Sequence, residues 1–244
     1  FRQIFINTIP QSLYKDKILK HTTQGGYFTL IGGLDNVSHL LPFYEIWNIS
    51  RIIRTDENAY SFWTEKSADE INENLSDAPF GDMVLSYIEK FGYHSKKELD
   101  VTYPSFYEDI KTVINDVKNT CILGDECSPE KASLRLGEEF RKEMEKVRNN
   151  TSSSAYKKFE KTVTEMRNML WWREELRDVS TRFYCIIRAY TLRLSEVLVN
   201  EGILTSQNDI WYTKIEDIKN LLDKKINKDD LMKIIAKNKI YYSS

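Results

Sequence analysis

REELRDVSTRFYCIIRAYTLRL, residues 173–194, is the stretch whose reading decides the fold. It lies inside Ala155 to Asn200, a run with neither proline nor glycine, so nothing there interrupts helical hydrogen bonding. On one helix at about 100° per residue, Arg173, Arg177, Tyr184 and Arg188 fall within about 60° of arc. Leu176, Val179, Phe183, Ile186, Ile187, Tyr190 and Leu194 share a neighbouring arc. The spacing predicts a long helix whose apolar seam packs on a core and whose basic stripe lines an anion-handling groove. The plainer reading of that stripe is a solvated helix edge, with Glu174 and Arg177 as an i,i+3 pair. Periodicity leaves open whether the helix is continuous at Trp171-Trp172.

Outward from this stretch the chain reads as helices joined by short breaks. Pro42 interrupts a helical pattern running from Leu34 to about Thr55. Ser67-Ala68-Asp69-Glu70 has the form of a capping box. Phe80 to Phe91 is amphipathic and stops at Gly92; Ile110 to Asn119 and Glu130 to Lys146 are helical again. Asn149 to Ser154 is a polar break. Beyond Gly202, Asp209 to Tyr212 reads as a short extended segment. Thr213 to Glu216 reads as a second capping box, and Asp229 to Lys239 as the last helix. The expected fold class is all-α, with long antiparallel helices and at most a short β segment. The expected organisation is a single helical domain over 1–244, with a candidate sub-boundary near 149–154.

Composition narrows the function. Nine glycines in 244 residues are too few for the tight strand-to-helix turns of a nucleotide-binding α/β domain. A net charge of −2 provides no global basic field for holding nucleic acid. No apolar run approaches the roughly 20 residues of a membrane span. Three cysteines, Cys121, Cys127 and Cys185, match neither a disulfide framework nor a zinc pattern. A cytoplasmic protein with no nucleic-acid or membrane partner and no bound metal is expected. The chain begins Phe1-Arg2-Gln3 without a methionine, and helical periodicity runs close to both ends. The expectation is a piece of a longer multidomain protein.

Phosphate-cradling glycine loops, a nucleophile elbow and a His-Glu-x-x-His helix are all missing from the sequence. His21 and His39 sit among small or apolar residues and read as structural. The loop Phe91 to Asp100 is denser in chemistry: His94, Lys96, Lys97, Glu98 and Asp100 follow a helix C-terminus. Such a loop suits a phosphate or polar ligand, or alternatively a corner in which Glu98 and Asp100 satisfy backbone N–H groups. Some of the tryptophans and tyrosines, if brought onto facing helices, suit a pocket for a flat, bulky ligand.

Two ordered segments carry a family resemblance. Phe91-Gly92-Tyr93-His94-Ser95, Glu98-Leu99-Asp100 and Pro104-Ser105-Phe106-Tyr107-Glu108-Asp109 resemble a loop of phosphoenolpyruvate-utilising enzymes. The subgroup is rifampicin phosphotransferase with its phosphoenolpyruvate-synthase-like relatives. Arg173-Glu174, Arg177, Arg182, Arg188, Gly202-Ile203-Leu204, Asp209-Ile210-Trp211-Tyr212 and Glu216-Asp217 resemble that family's arginine-bearing helix and the segment after it. The first 80 or so residues contribute little to the likeness. Gly92-Tyr93-His94 stands where the family has Gly-His-Arg, and Ser105-Phe106 replaces Arg-Trp. These departures imply a divergent member whose acceptor need not be rifampicin.

The resemblance implies the helical middle domain of an ATP-dependent phosphotransferase. In such enzymes an ATP-grasp domain, using ATP and Mg2+, phosphorylates a histidine on a swivelling domain, which passes the phosphoryl group to a small-molecule acceptor. The implied partners are those two domains of the same polypeptide. This chain alone is then expected to be inactive and to hold no catalytic residue. The substrate- and phosphate-binding candidates are Arg188, Arg177, Arg173, Tyr184, His94, Glu98 and Asp100, with Arg188 placed to steady a transferring phosphoryl group. The alternative is a stand-alone helical binding or scaffold module.

Overall fold

The computed structural model describes residues 13–243, and those residues form an all-α fold without a sheet. Helix α1 covers 13–19, followed by α2 (Gln24–Ile31), α3 (Leu41–Ile53), α4 (Glu57–Glu65), α5 (Ala68–Glu73) and α6 (Gly81–Phe91). Then come α7 (Ile110–Cys121), α8 (Pro129–Asn149), α9 (Ser153–Asn200), α10 (Ile215–Leu222) and α11 (Lys228–Ser243). The chain divides into two compact units. The first comprises the described residues up to His94 with Ser105–Ser180, and the second comprises Ser95–Pro104 with the chain from Thr181 onward. The polar break at 149–154 lies within the first unit.

In the first unit, α1, α2, α8 and the start of α9 enclose Ile18, Tyr27, Leu30, Val147, Phe159, Val163, Met166 and Leu170. A second group of helices packs α3 on α7 and α6, with α4 and α5 also on α7. The helix expected from Leu34 begins instead at Leu41, with Pro42 in its first turn, where the missing N–H has no intrahelical partner to lose. The Ser67–Glu70 capping box forms as its spacing predicts. Gly92 ends α6 with an ordinary helical φ of −61°. Its glycine is required by space: a Cβ there would stand 2.4 Å from the Tyr107 ring.

In the second unit, Leu198, Leu204, Ile210, Ile218, Leu231 and Ile235 form the core. Gly202 ends α9 in the left-handed region at φ +66°. Ile203 N–H donates to Leu198 O and Gly202 N–H to Val199 O, both at 2.8 Å, a Schellman closure. Two expectations are corrected here. Asp209 to Tyr212 is not extended but part of a 3-10 turn, Gln207–Tyr212. Asp209 Oδ2 accepts from the backbone N–H groups of Thr205 and Ser206 at 3.3 and 3.1 Å, which closes the chain into a helical turn. Helix α10 is capped one residue later than expected: Asp217 accepts from Lys214 N–H at 2.9 Å.

Helix α9 is continuous through Trp171-Trp172. Its apolar seam does not bury as predicted. Phe183 is 61% exposed and Tyr190 71%, and Leu176, Val179, Ile186, Ile187 and Leu194 are exposed too. Along the same stretch the buried residues are polar: Glu174, Asp178, Thr181, Arg188 and Ser195.

Candidate functional site

Three side chains of α9, spaced four residues apart on one face, strap the loop that follows α2. Arg167 donates to the carbonyls of Leu30, Gly32 and Gly33 at 3.0, 2.6 and 2.8 Å. Its guanidinium also lies 4.5 Å from the centre of the Phe140 ring. Trp171 Nε1 donates to Asn36 O at 3.1 Å. Glu175 accepts from the Ser38 backbone N–H and hydroxyl, both at 2.7 Å. Gly33 and Asn36 take positive φ of 55° and 52°, which lets the loop turn back sharply under these restraints.

Between this loop, the start of α3 and the start of α8 lies a cavity of about 840 Å³. Leu34, Val37, Leu41, Phe43 and Leu136 supply much of its wall. The polar groups of interest are Asp35, His39, Tyr44 and Glu174; among the described residues that line it there is no lysine or arginine. His39 Nδ1 is buried without a hydrogen-bond partner and stands 3.6 Å from Glu174 Oε2. The other carboxylate oxygen, Oε1, accepts from Arg173 Nε at 2.7 Å. Arg173 and Glu174 thus pair on the helix, and the His39 ring stands beside that pair at the cavity wall.

The loop singled out in the sequence splits between the two units. In the first, Tyr93 Oη donates to Asp178 Oδ1 at 2.8 Å, and His94 Nε2 lies 3.7 Å from the same oxygen. All three residues are buried, with the Tyr93 and His94 rings 4.3 Å apart. Phe106 N–H donates to His94 O at 2.8 Å and Tyr107 N–H to Gly92 O at 3.0 Å, folding the loop's return arm onto its start.

In the second unit, Arg188 is only 9% exposed. It donates to Val101 O at 2.8 Å and lies 5.2 Å from the Trp211 ring centre. Asp100 accepts from Thr102 Oγ1 at 2.6 Å and Thr102 N–H at 3.0 Å. These hydrogen bonds, with the nearby cations of Lys97 and Arg188, hold its carboxyl below the usual range against mild desolvation. Arg188 and Asp100 are therefore brought together, with Arg188 tying loop 95–104 to the helix. Tyr184 and Arg177 lie on the exposed part of α9, and Glu98 sits in the same loop as Asp100. Arg173 pairs with Glu174, which lines the cavity. Sequence reasoning passed over His39 as structural and did not pair it with Glu174, because the two meet only through the folding of α9 back onto the loop.

Among the described residues, no group of three or more His, Cys, Asp or Glu side chains is arranged to hold a metal ion. No described helix is long and apolar enough to cross a membrane.

The fold and this cavity define an all-α domain with a preformed, weakly polar recess. Residues 2–174 match the family described as the rifampicin phosphotransferase fourth domain, and the chain belongs to that family. The matched residues include the whole cavity and the Phe91–Asp109 loop; Arg177, Tyr184 and Arg188 lie beyond them. No curated protein matches the chain.

Proposed function

We propose that this chain is the helical acceptor-holding and linking domain of an ATP-dependent phosphotransferase. A phosphorylated histidine on another module brings the phosphoryl group, and this domain presents a small-molecule acceptor. The observation that carries the reading is the family match over residues 2–174, joined to a cavity enclosed by that same segment. Its size falls within the usual range for sites holding drug-sized molecules. The sequence lacks a phosphate-binding glycine loop, and this reading assigns ATP to another module. Arg173, Arg177 and His94 of the first unit, and Arg188, Tyr184, Glu98 and Asp100 of the second, remain separate proposed contacts for the phosphoryl group or polar parts of the acceptor. Two results test this. The purified chain, given ATP and Mg2+, is expected to release no ADP. The gene read outward from both ends is expected to encode an ATP-grasp module upstream and a histidine-bearing swivelling module downstream. ADP release by the chain alone, or a reading frame encoding neither module, contradicts the proposal.

A further inference from the structure

Within the second unit, the stretch of α9 from Thr181 onward has two contrasting faces. Thr181, Arg188 and Ser195 recur every seven residues and are buried. Arg188 donates to Val101 O at 2.8 Å and Ser195 Oγ to Gln207 O at 2.7 Å, so neighbouring loops hold that face inward. The opposite face carries Phe183, Ile186, Tyr190, Arg193 and Val197, all exposed. Their intervals are three, four, three and four residues. That is the seam of a coiled coil, whose 3.5-residue period keeps it facing a partner helix. Ile187 and Leu194 border the seam on one side; Arg182 and Glu196, both exposed, border it on the other.

The charges choose the occupant. A second copy laid parallel and in register would set Arg193 against its own equivalent and leave Arg182 and Glu196 without a charge opposite them. An antiparallel copy, with the two-fold axis level with Arg188, brings each Ile186 to Tyr190 of the other copy. It sets each Arg193 against the Phe183 ring of the other copy, a cation–π pairing. It also places Arg182 opposite Glu196, twice by symmetry. Shifting the register by one heptad in either direction separates both of those charge pairs.

We infer that this face of α9 is a self-association surface, on which two copies of the chain pair antiparallel through residues 182–197. Phe183, Ile186 and Tyr190 supply the apolar contact, and Arg182 with Glu196 fixes the register. The inference does not depend on the phosphotransfer reading. A seam of about four helical turns lies near the lower limit of stable interfaces, roughly 1,200 Å², so the dimer is expected at micromolar concentrations. Phe183 therefore stays exposed in the dilute monomer.

The test is sedimentation velocity on the 244-residue chain from about 1 to about 200 µM, a range over which a micromolar dimer assembles. The unsubstituted chain is expected to pass from monomer to dimer. Phe183→Glu combined with Tyr190→Glu, which charges the seam, is expected to stay monomeric throughout. Arg182→Glu alone and Glu196→Arg alone each set like charges opposite one another at both ends, and each is expected to weaken dimerisation about tenfold. Mixed one to one, those two variants are expected to regain the association of the unsubstituted chain, because every such pair in the mixed dimer is of opposite sign. A variant that had lost its fold would not recover on mixing. A chain that remains monomeric at about 200 µM overturns the inference and leaves the face to another module or protein. So does association that survives the paired Phe183 and Tyr190 changes. Single charge variants that associate like the unsubstituted chain, or that mixing does not restore, overturn it as well.

Discussion

The two halves of α9 obey opposite rules. From Phe159 to Leu170 the buried positions are Phe159, Val163, Met166 and Leu170, and burial follows hydrophobicity. From Glu174 to Ser195 the buried positions are polar, and the outward side carries Phe183, Ile187, Tyr190 and Leu194. One continuous helix therefore makes an apolar core in its first part, where Arg167 also holds a loop, and in its second buries only polar side chains that bond to neighbouring loops. Both kinds of contact fix structure, but they differ in size and in their response to substitution.

The comparison breaks most visibly at Phe159. Phe159→Ala removes a fully enclosed ring and is expected to cost about 3–5 kcal/mol, read as a lower midpoint in urea denaturation. Arg167→Leu comes next. It leaves the carbonyls of Leu30, Gly32 and Gly33 without their donor, for an expected loss of about 2–3 kcal/mol. It should also increase hydrogen exchange in loop 32–38.

Asp209 supplies the third case. Burial pushes its carboxyl up, but the hydrogen bonds from Lys239 and Thr205 and the Lys239 charge together hold it below the usual range. Because the folded value lies below the unfolded one, its stabilisation is fully present above about pH 4. That stabilisation is lost as the pH falls through the folded value. Asp209→Asn is expected to cost about 1–3 kcal/mol near neutrality. The variant should then lose less further stability than the parent on acidification below about pH 4. The smallest effect belongs to the exposed side of α9: Phe183→Ala is expected within about 0.5 kcal/mol of the parent. A large loss there would place Phe183 in a core and cancel the contrast between the halves.

The helices were legible because capping residues and apolar periodicity act locally. The Ser67–Glu70 box, the stop at Gly202 and the unbroken run from Ala155 to Asn200 each fix a backbone choice within a turn or two. The polarity of α9's second half was not legible. Periodicity identifies an apolar face but not whether a neighbour covers it, and here Arg188, Asp178 and Ser195 are buried in hydrogen bonds to loops while Phe183 and Tyr190 stay exposed.

The candidate site was legible in part. The arginines and the loop around His94 could be found from spacing, and Arg188 with Asp100 does form a local cluster. The approach of His39 to Glu174 had no such signal, because the two lie on segments distant in sequence and His39 has only apolar or small neighbours along the chain. The likeness to the family rested on Phe91–Asp217, whereas the match runs over 2–174. The first 80 or so residues, which contribute little to that likeness, supply much of the cavity wall through the loop between α2 and α3 and the start of α3.

Urea denaturation of Phe159→Ala and Phe183→Ala side by side tests the central claim most directly, because the two residues lie on the same helix at a core position and an exposed one. The account predicts a loss of about 3–5 kcal/mol for Phe159→Ala and about 0.5 kcal/mol or less for Phe183→Ala. Equal losses at the two positions would contradict it.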